Sequence, residues 1–558
     1  MRIETRSAQL LSRATLLLML LWLAFLVRGF WYCALLPPWE GYDEPYHFAA
    51  LQNVAAGRGF PQATTPVSLE VEHSLHLLPL PWELQFQDIP HPLSTYDDFW
   101  RLPPTERKGR IDALRALPVE EGTQLADERI SNYESQQEPL YYWLLAVPLR
   151  WMTGIPLFSR IYLLRMFNVL LASVVVPTCW WMAKLVLRSD LQCLGASAFV
   201  VLMPELMINN ARVGNQSLAL LLYSLLLMAS LQAARHSMYW IWWIAVGCTL
   251  GAGLLTMASF MTAIPAVVLL AAVCVRSAGI SGIRRHRVFA IAARCATALA
   301  IAAVIAGPWY AHVHSATSSW SGLGHDAALR HYSLLQKLLA IPRVNWKSGA
   351  LSVLISHIWF GGWSFLRVHR GLYIAGILVI VLAIAGVIVR LTRRHDPGDE
   401  IRDVEILASF YACFLAGLAY HVLITFLHEG VSASTGWYLY ALGAAEGILL
   451  VWGLQAFVPS RIAIPGLVIS IAFLDLYGMH ALLMPYYSGL SSHVGASVPP
   501  GLLTTLAQLP AVFSRLPELR PAWLNAPVLA TLWLGYWIAT IGTVGAVVAC
   551  YSKPAAAD

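Results

Sequence analysis

Charge is scarce in this chain. Only 12% of its 558 residues are Asp, Glu, Lys or Arg, while 58% are hydrophobic, against roughly a quarter charged and just under half apolar in water-soluble domains. Polar linkers are missing as well, so the length does not divide into several soluble domains of about 150 residues. Apolar stretches of about 20 residues recur to the C-terminus instead, the length that crosses a hydrocarbon core about 30 Å thick. Cysteine is sparse: the eight (Cys33, Cys179, Cys193, Cys248, Cys274, Cys295, Cys413 and Cys550) form no C-x-x-C pair and no His-bearing metal spacing, which gives no support to a zinc site or a disulfide framework. A cytosolic enzyme, a secreted disulfide scaffold and a disordered regulator are thereby excluded, and an all-α polytopic membrane protein is expected. The net charge of +6 is small and follows from topology, so nucleic acid is not an expected partner.

Hydrophobic runs predict about twelve transmembrane helices, at 14–36, 160–187, 190–208, 216–234, 238–257, 259–276, 288–309, 371–390, 404–427, 437–457, 462–484 and 526–550. The first follows Arg2, Arg6 and Arg13, lacks a small-residue cleavage site and ends in Pro37-Pro38, so a retained span is expected rather than a signal peptide. With both termini cytoplasmic, Lys184, Arg188, Arg235, Arg276, Arg390 and Arg461 fall on inner loops, as the positive-inside rule requires. The chain then divides into a first helix (1–36), a large outer loop (37–159), a helical module (160–309), a second outer loop (310–370), further helices (371–484), an outer loop (485–525) and a last helix with a short tail (526–558). The large loop holds 17 of the 31 acidic residues. Within it, Pro139–Met152 is apolar but too short to span, and is expected to lie along the outer leaflet with Tyr141, Tyr142, Trp143 and Trp151 at headgroup depth. No inner loop could form a nucleotide-binding βαβ unit, which takes about 30 residues, so any chemistry is expected outside.

The most informative stretch is Pro37-Pro38-Trp39-Glu40-Gly41-Tyr42-Asp43-Glu44-Pro45-Tyr46-His47-Phe48. It sets adjacent carboxylates where the first span leaves the lipid. A carboxylate followed by a proline is an ordinary helix start. The same pair, at the mouth of a multi-span bundle, could equally hold a general base, with the second carboxylate or His47 orienting it or the substrate. Two acids lie inside apolar runs: Asp475, expected to serve helix packing, and Glu205, expected to have a structural role beside Pro204.

The Asp43-Glu44 pair after the first span resembles the signature of the type C (GT-C) glycosyltransferases, polytopic enzymes with polyprenyl-phosphate sugar donors. The fuller string is most similar to the P-P-D-E-P-A-H-F motif of a bacterial branch. Gln137-Glu138-Pro139-Leu140-Tyr141-Tyr142 resembles that branch's Q-P-P-L-Y-Y, and Arg212-Val213-Gly214-Asn215-Gln216-Ser217 its R-V-T-N-D-A. Ser356–Trp363 and Gly436-Trp437-Tyr438-Leu439-Tyr440 are similar to two further motifs. The resemblance implies a GT-C-like bundle in a bacterial inner membrane with its active site extracytoplasmic. It implies Asp43 and Glu44 as catalytic carboxylates, and His47, Glu138, Tyr141, Arg212, Asn215, Gln216, Trp363, Arg367, His369, Arg370 and Tyr438 as substrate-binding residues. The implied partners are a polyprenyl-phosphate-linked sugar, a hydroxyl acceptor and membrane lipids.

Two departures carry chemistry. Gln216 stands where metal-dependent relatives often have an acid, and an amide is a poorer ligand than a carboxylate for a hard cation, so metal-independent transfer is expected, with no cofactor. Trp437 stands where the related motif has Arg, which leaves Arg212, Arg367, His369 and Arg370 as the cations for a donor phosphate. One base and a stabilised leaving group favour inversion; retention would need a second carboxylate about 5 Å away, for which Glu138 is the candidate. Two other readings remain from sequence: a transporter or flippase for a lipid-linked substrate, disfavoured by the lack of internal repeats, and a non-catalytic assembly subunit.

Overall fold

A computed structural model describes the chain apart from residues 1, 62–64, 87–94, 127–129, 133, 135–136, 278–283, 321–327, 330, 394–397, 494–501 and 552–558. The protein is an all-α membrane bundle: among the described residues there is no β-strand, only three isolated bridges within the 65–131 region. Among the described residues, ten helices are long and apolar enough to cross a membrane, and an eleventh span is gained if Asp190–Leu202 and Pro204–Asn210, bent by 52°, are taken together. The bend has a local cause. Pro204 lacks an N–H and forces Met203 into extended backbone (φ −61°, ψ 112°).

The twelfth expected span is shorter than its hydropathy suggests. The run at 238–257 forms Trp240–Leu254, only 15 residues, which rise about 22 Å, less than the hydrocarbon thickness. It packs instead along Arg284–Thr317 through small residues: a Cβ at Gly247 would meet Ala298 O at 2.6 Å, and one at Gly251 would meet Ile305 Cβ at 2.8 Å. Close backbone approach of this kind is how membrane helices associate without a hydrophobic driving force.

Several charged groups inside the bundle are paired. Arg28 of the first helix bonds Asp475 at 2.9 Å, and Asp475 also accepts the hydroxyls of Tyr32 and Tyr536, each at 2.5 Å. Asp475 thus ties three helices together, the packing role expected for it.

The segment between the first two spans is a folded cap built from Glu44–Ala55, Leu69–Leu77, Tyr96–Arg101, Pro104–Arg115 and Leu140–Trp151. It is docked by buried polar contacts: Glu70 pairs with Arg160 of the next span and accepts Gln52 Nε2 at 2.6 Å, while Ser68 Oγ donates to Gln52 Oε1 at 2.6 Å. The helix Leu140–Trp151 corrects one expectation. Tyr141 and Tyr142 are fully buried, whereas Trp143 and Trp151 are 50% and 79% exposed. At helical spacing, Tyr141, Tyr142, Leu145 and Leu149 share the inward face, so only the two tryptophans are free to reach headgroups.

Candidate active site

Pro37 and Pro38 end the first helix, and the chain turns twice before the motif helix begins. Both turns use the left-handed region, at Trp39 (φ 67°) and Asp43 (φ 58°). Asp tolerates this conformation, while an aromatic there marks a backbone held by its surroundings. Tyr42 is held between them by Trp437, whose ring stacks on it at 4.3 Å and 8°. Trp437 therefore acts through packing at the position where the related motif has an arginine.

The two adjacent acids have opposite surroundings. Glu44 is fully buried and spends both oxygens on structure. It accepts Arg165 Nε at 2.7 Å and Nη2 at 2.5 Å, Val213 N at 2.9 Å and Trp39 N at 3.0 Å. Arg165 in turn donates to the carbonyls of Leu36 (2.5 Å) and Pro37 (2.8 Å), satisfying the orphan end of the first helix. Asp43 is part-exposed, and its carboxylate makes no hydrogen bond to any described residue. It does not cap the helix that follows it, so the ordinary helix-start account fails for this side chain.

Asp43 has company that its sequence position does not announce. The ligand-type atoms of Asp43, His47 and Glu134 all lie within 4.8 Å of one another. His47 is one helical turn beyond Asp43; Glu134 comes from the segment before the helix Leu140–Trp151. Burial, with the nearby negative charge of Glu83 adding to it and Arg212 opposing it, pushes the Asp43 carboxyl up to about 6. Burial and the Asp43 charge push Glu134 well above the usual carboxylate range, and its Oε2 has no hydrogen-bond partner among the described residues. Burial and Arg212 hold His47 well below its ordinary value, so it is neutral; its Nδ1 lies 2.6 Å from the Tyr142 hydroxyl and 3.8 Å from Glu134. Two carboxylates this close cannot both ionise without a proton or a cation between them. Two carboxylates and an imidazole also suit a divalent ion, and these three residues, not Gln216, are the ones that would hold it.

Arg212 is 2% exposed. It donates through Nε to Asn209 O (3.1 Å), through Nη2 to Asn209 Oδ1 (3.0 Å) and through Nη1 to the Tyr42 carbonyl, with its guanidinium 5.0 Å over the Tyr42 ring. It forms no ion pair with a described carboxylate, so its charge acts across the site on Asp43, Glu134 and His47.

The other expected substrate-binding residues divide by environment. Tyr438 is part-exposed, lines a pocket of about 190 Å³ with Gln137, Met257, Met261, Phe414 and His421, and feels the charges of Asp43 and Glu134. Tyr141 is a buried strut, its hydroxyl accepting Gly214 N at 2.9 Å and Asn168 Nδ2 at 3.0 Å. Asn215 ties Gln137 (3.0 Å) to Thr256 O (3.1 Å). Gln216 is buried, with its Oε1 unpartnered among the described residues. Burial pushes Glu138 up to about 8, against the easing bond from the Tyr310 hydroxyl at 3.2 Å. Trp363 is buried and acts through its backbone, its N donating to Glu40 O (3.3 Å) and its O accepting Glu83 N (3.1 Å). Arg367, His369 and Arg370 are exposed; His369 Nδ1 accepts Gly371 N at 3.1 Å.

Sequence reasoning missed Glu134, Tyr142, Arg165 and Glu40. Arg165 and Asn168, polar within an apolar run, carried a signal, because such residues in a span face protein rather than lipid. Glu134 carried only its closeness to the Gln137–Tyr142 motif.

No family model and no curated protein matches this chain. Among solved structures it is similar to ArnT from Cupriavidus metallidurans bound to undecaprenyl phosphate, at 12% identity over 97% of this chain and 78% of that one, with a TM-score of 0.42. It is also similar to the oligosaccharyltransferase AglB from Archaeoglobus fulgidus in complex with an inhibitory peptide and a dolichol-phosphate, at 13% identity over 89% of this chain and 56% of that one, with a TM-score of 0.33.

Proposed function

We propose that the chain is a membrane glycosyltransferase that moves a sugar from a polyprenyl-phosphate donor to an acceptor hydroxyl, on the extracytoplasmic face and with inversion at the anomeric carbon. The observation that carries this is the isolated carboxylate of Asp43: part-exposed, bonded to no described residue, raised to about 6, and set where the first span ends. A general base needs that combination of access and a pKa near working pH. The motif resemblance to type C glycosyltransferases supplies the substrate class.

In the proposed reaction the acceptor oxygen attacks the anomeric carbon as its proton passes to Asp43. The bond from that carbon to the phosphate oxygen breaks, and polyprenyl phosphate leaves with the electron pair. Arg212, which has no carboxylate partner among the described residues, holds positive potential over the site as negative charge builds on the phosphate. The mostly apolar pocket beside Tyr438 suits the first prenyl units of the donor. Glu44 and Arg165 keep the loop in shape and take no proton. Glu138 sits behind Tyr310 and is assigned no nucleophilic role.

We further propose metal-independent transfer, with the proton kept on the more deeply buried Glu134 and the negative charge on Asp43. The imidazole nitrogen nearest Glu134 is already bonded to Tyr142 at 2.6 Å, which leaves only Nε2 of His47 for a cation. A divalent ion, if bound, would sit among Asp43, His47 and Glu134 and would supply charge neutralisation there.

The test is Asp43→Asn in the purified full chain, supplied with polyprenyl-phosphate sugars and a membrane glycolipid extract, following release of polyprenyl phosphate. Loss of one positioned base costs about 10²–10⁴-fold. Undiminished release by Asp43→Asn would overturn the assignment.

A further inference from the structure

A second cavity borders the loop Trp359–Arg367. Two buried carboxylates hold the backbone of this loop. Glu205 accepts Phe360 N and Gly361 N, both at 2.7 Å, and Glu40 accepts Ser364 N at 2.8 Å and Ser364 Oγ at 3.0 Å. Gly361 (φ 77°), Gly362 (φ 71°) and Phe365 (φ 53°) take the left-handed conformations this wrapping demands.

The loop's other side, Phe365 to Arg367, walls a cavity of about 360 Å³, with Trp82, Tyr486, Ser491, Ser492 and His493 around it. The opposing wall is also fixed. Asp97 accepts Ser492 Oγ at 2.7 Å and His493 N at 3.1 Å, and the His493 ring stacks on Trp82 at 4.3 Å and 13°. Asp97 is thereby spent on the wall. Arg367 is exposed and makes no hydrogen bond or salt bridge to a described residue. Rings connect this wall to the candidate base: Phe365 packs on Phe360 (4.7 Å), Phe360 on Trp437 (4.9 Å), and Trp437 on Tyr42 (4.3 Å). Glu83, next to Trp82, bonds Trp363 O through its backbone and acts electrostatically on Asp43.

A concavity of this size with aromatic surfaces, the Ser491 hydroxyl and one guanidinium bonded to no described residue matches a specific ligand chemistry. Ring faces pack on the C–H faces of sugars, hydroxyls answer sugar hydroxyls, and a guanidinium takes a carboxylate or phosphate bidentately. We propose that this cavity binds an anionic saccharide, a uronic acid or a sugar phosphate, with Arg367 on the acid group, and that this saccharide is the acceptor or its neighbouring residue. Calling the ligand an acceptor rests on the transferase proposal; the binding itself does not.

The experiment uses the full chain in detergent micelles and follows binding of digalacturonate, galactose 1-phosphate and the neutral disaccharide galactobiose by saturation-transfer NMR and thermophoresis. At least one of the two acids should bind saturably and at least tenfold more tightly than galactobiose. Arg367→Ala should erase that preference, and Arg367→Lys should keep part of it. Whichever acid binds more tightly identifies the anion. Asp43→Asn should bind the acid as the parent does, which separates this site from the catalytic proposal. Equal binding of acid and neutral sugar, no saturable binding, or an undiminished acid preference in Arg367→Ala would overturn the proposal while leaving the role of Asp43 standing.

Discussion

The adjacent acids Asp43 and Glu44 offer a sharp test, because opposite outcomes are expected from chemically equal substitutions. Glu44→Gln removes one partner of a fully buried ion pair and leaves Arg165 uncompensated. Breaking such a pair from one side costs about 3–5 kcal/mol, and the amide cannot accept all four donors that Glu44 now satisfies. Asp43→Asn removes no hydrogen bond to a described residue and relieves repulsion with Glu134, so its effect on stability should stay within about 0.5 kcal/mol. Melting of the purified protein in one detergent at one scan rate, the scan rate being fixed because unfolding of large chains is seldom reversible, should therefore fall by several degrees for Glu44→Gln and stay put for Asp43→Asn. Transfer should be abolished by Asp43→Asn at full stability, whereas Glu44→Gln should lose activity in step with its folded fraction. A Glu44→Gln protein that melts like the parent, or an Asp43→Asn protein that melts far lower, would refute the division of labour between the two carboxylates.

Three further outcomes follow from the same geometry. Because Asp43 must be ionised to take a proton and its pKa is raised to about 6, transfer should climb through pH 6 and level off above it; Glu83→Gln removes a negative charge that raises that pKa, so the acid limb of the pH–rate profile should move to lower pH. Chelator should leave the rate unchanged, and a strong loss restored by a divalent ion would instead place a cation among Asp43, His47 and Glu134. Gly361→Ala puts a Cβ 2.3 Å from Leu366 O in a left-handed residue, so the loop should loosen at a cost of about 1–3 kcal/mol, read as a lower melting temperature and weaker acid-sugar binding at Arg367.

The bundle was largely legible because membrane spans are written in hydropathy at a fixed length. Its exceptions have short-range or packing causes that hydropathy does not carry. Pro204 breaks one span, and Trp240–Leu254 is as apolar as a span but is halted at 15 residues. The motif Trp39–Phe48 pointed to the candidate site, yet composition could not assign roles within it. That depends on a backbone turn: the left-handed φ of Asp43 frees its side chain, and the next residue points at Arg165. Tyr141 and Tyr142 were legible as a helical pair but not as inward-facing, since that follows from which face the cap lays against the bundle. Glu134 was legible only as a neighbour of the Gln137–Tyr142 motif, because no spacing rule relates a carboxylate to a partner so distant along the chain.

The acids around the site follow one physical logic. Irregular loops at a membrane surface leave backbone N–H groups that have neither a helix nor a sheet to accept them, and buried donors must be satisfied. Glu44 accepts Trp39 N and Val213 N, Glu205 accepts Phe360 N and Gly361 N, and Glu40 accepts Ser364 N. These carboxylates stand in for missing carbonyls, so protonating or replacing any of them disturbs the loop it holds. Asp43 accepts no backbone N–H through its side chain among the described residues. It can therefore change protonation without the scaffold registering the change, as the proposed role of base requires and as the more deeply buried acids beside it cannot.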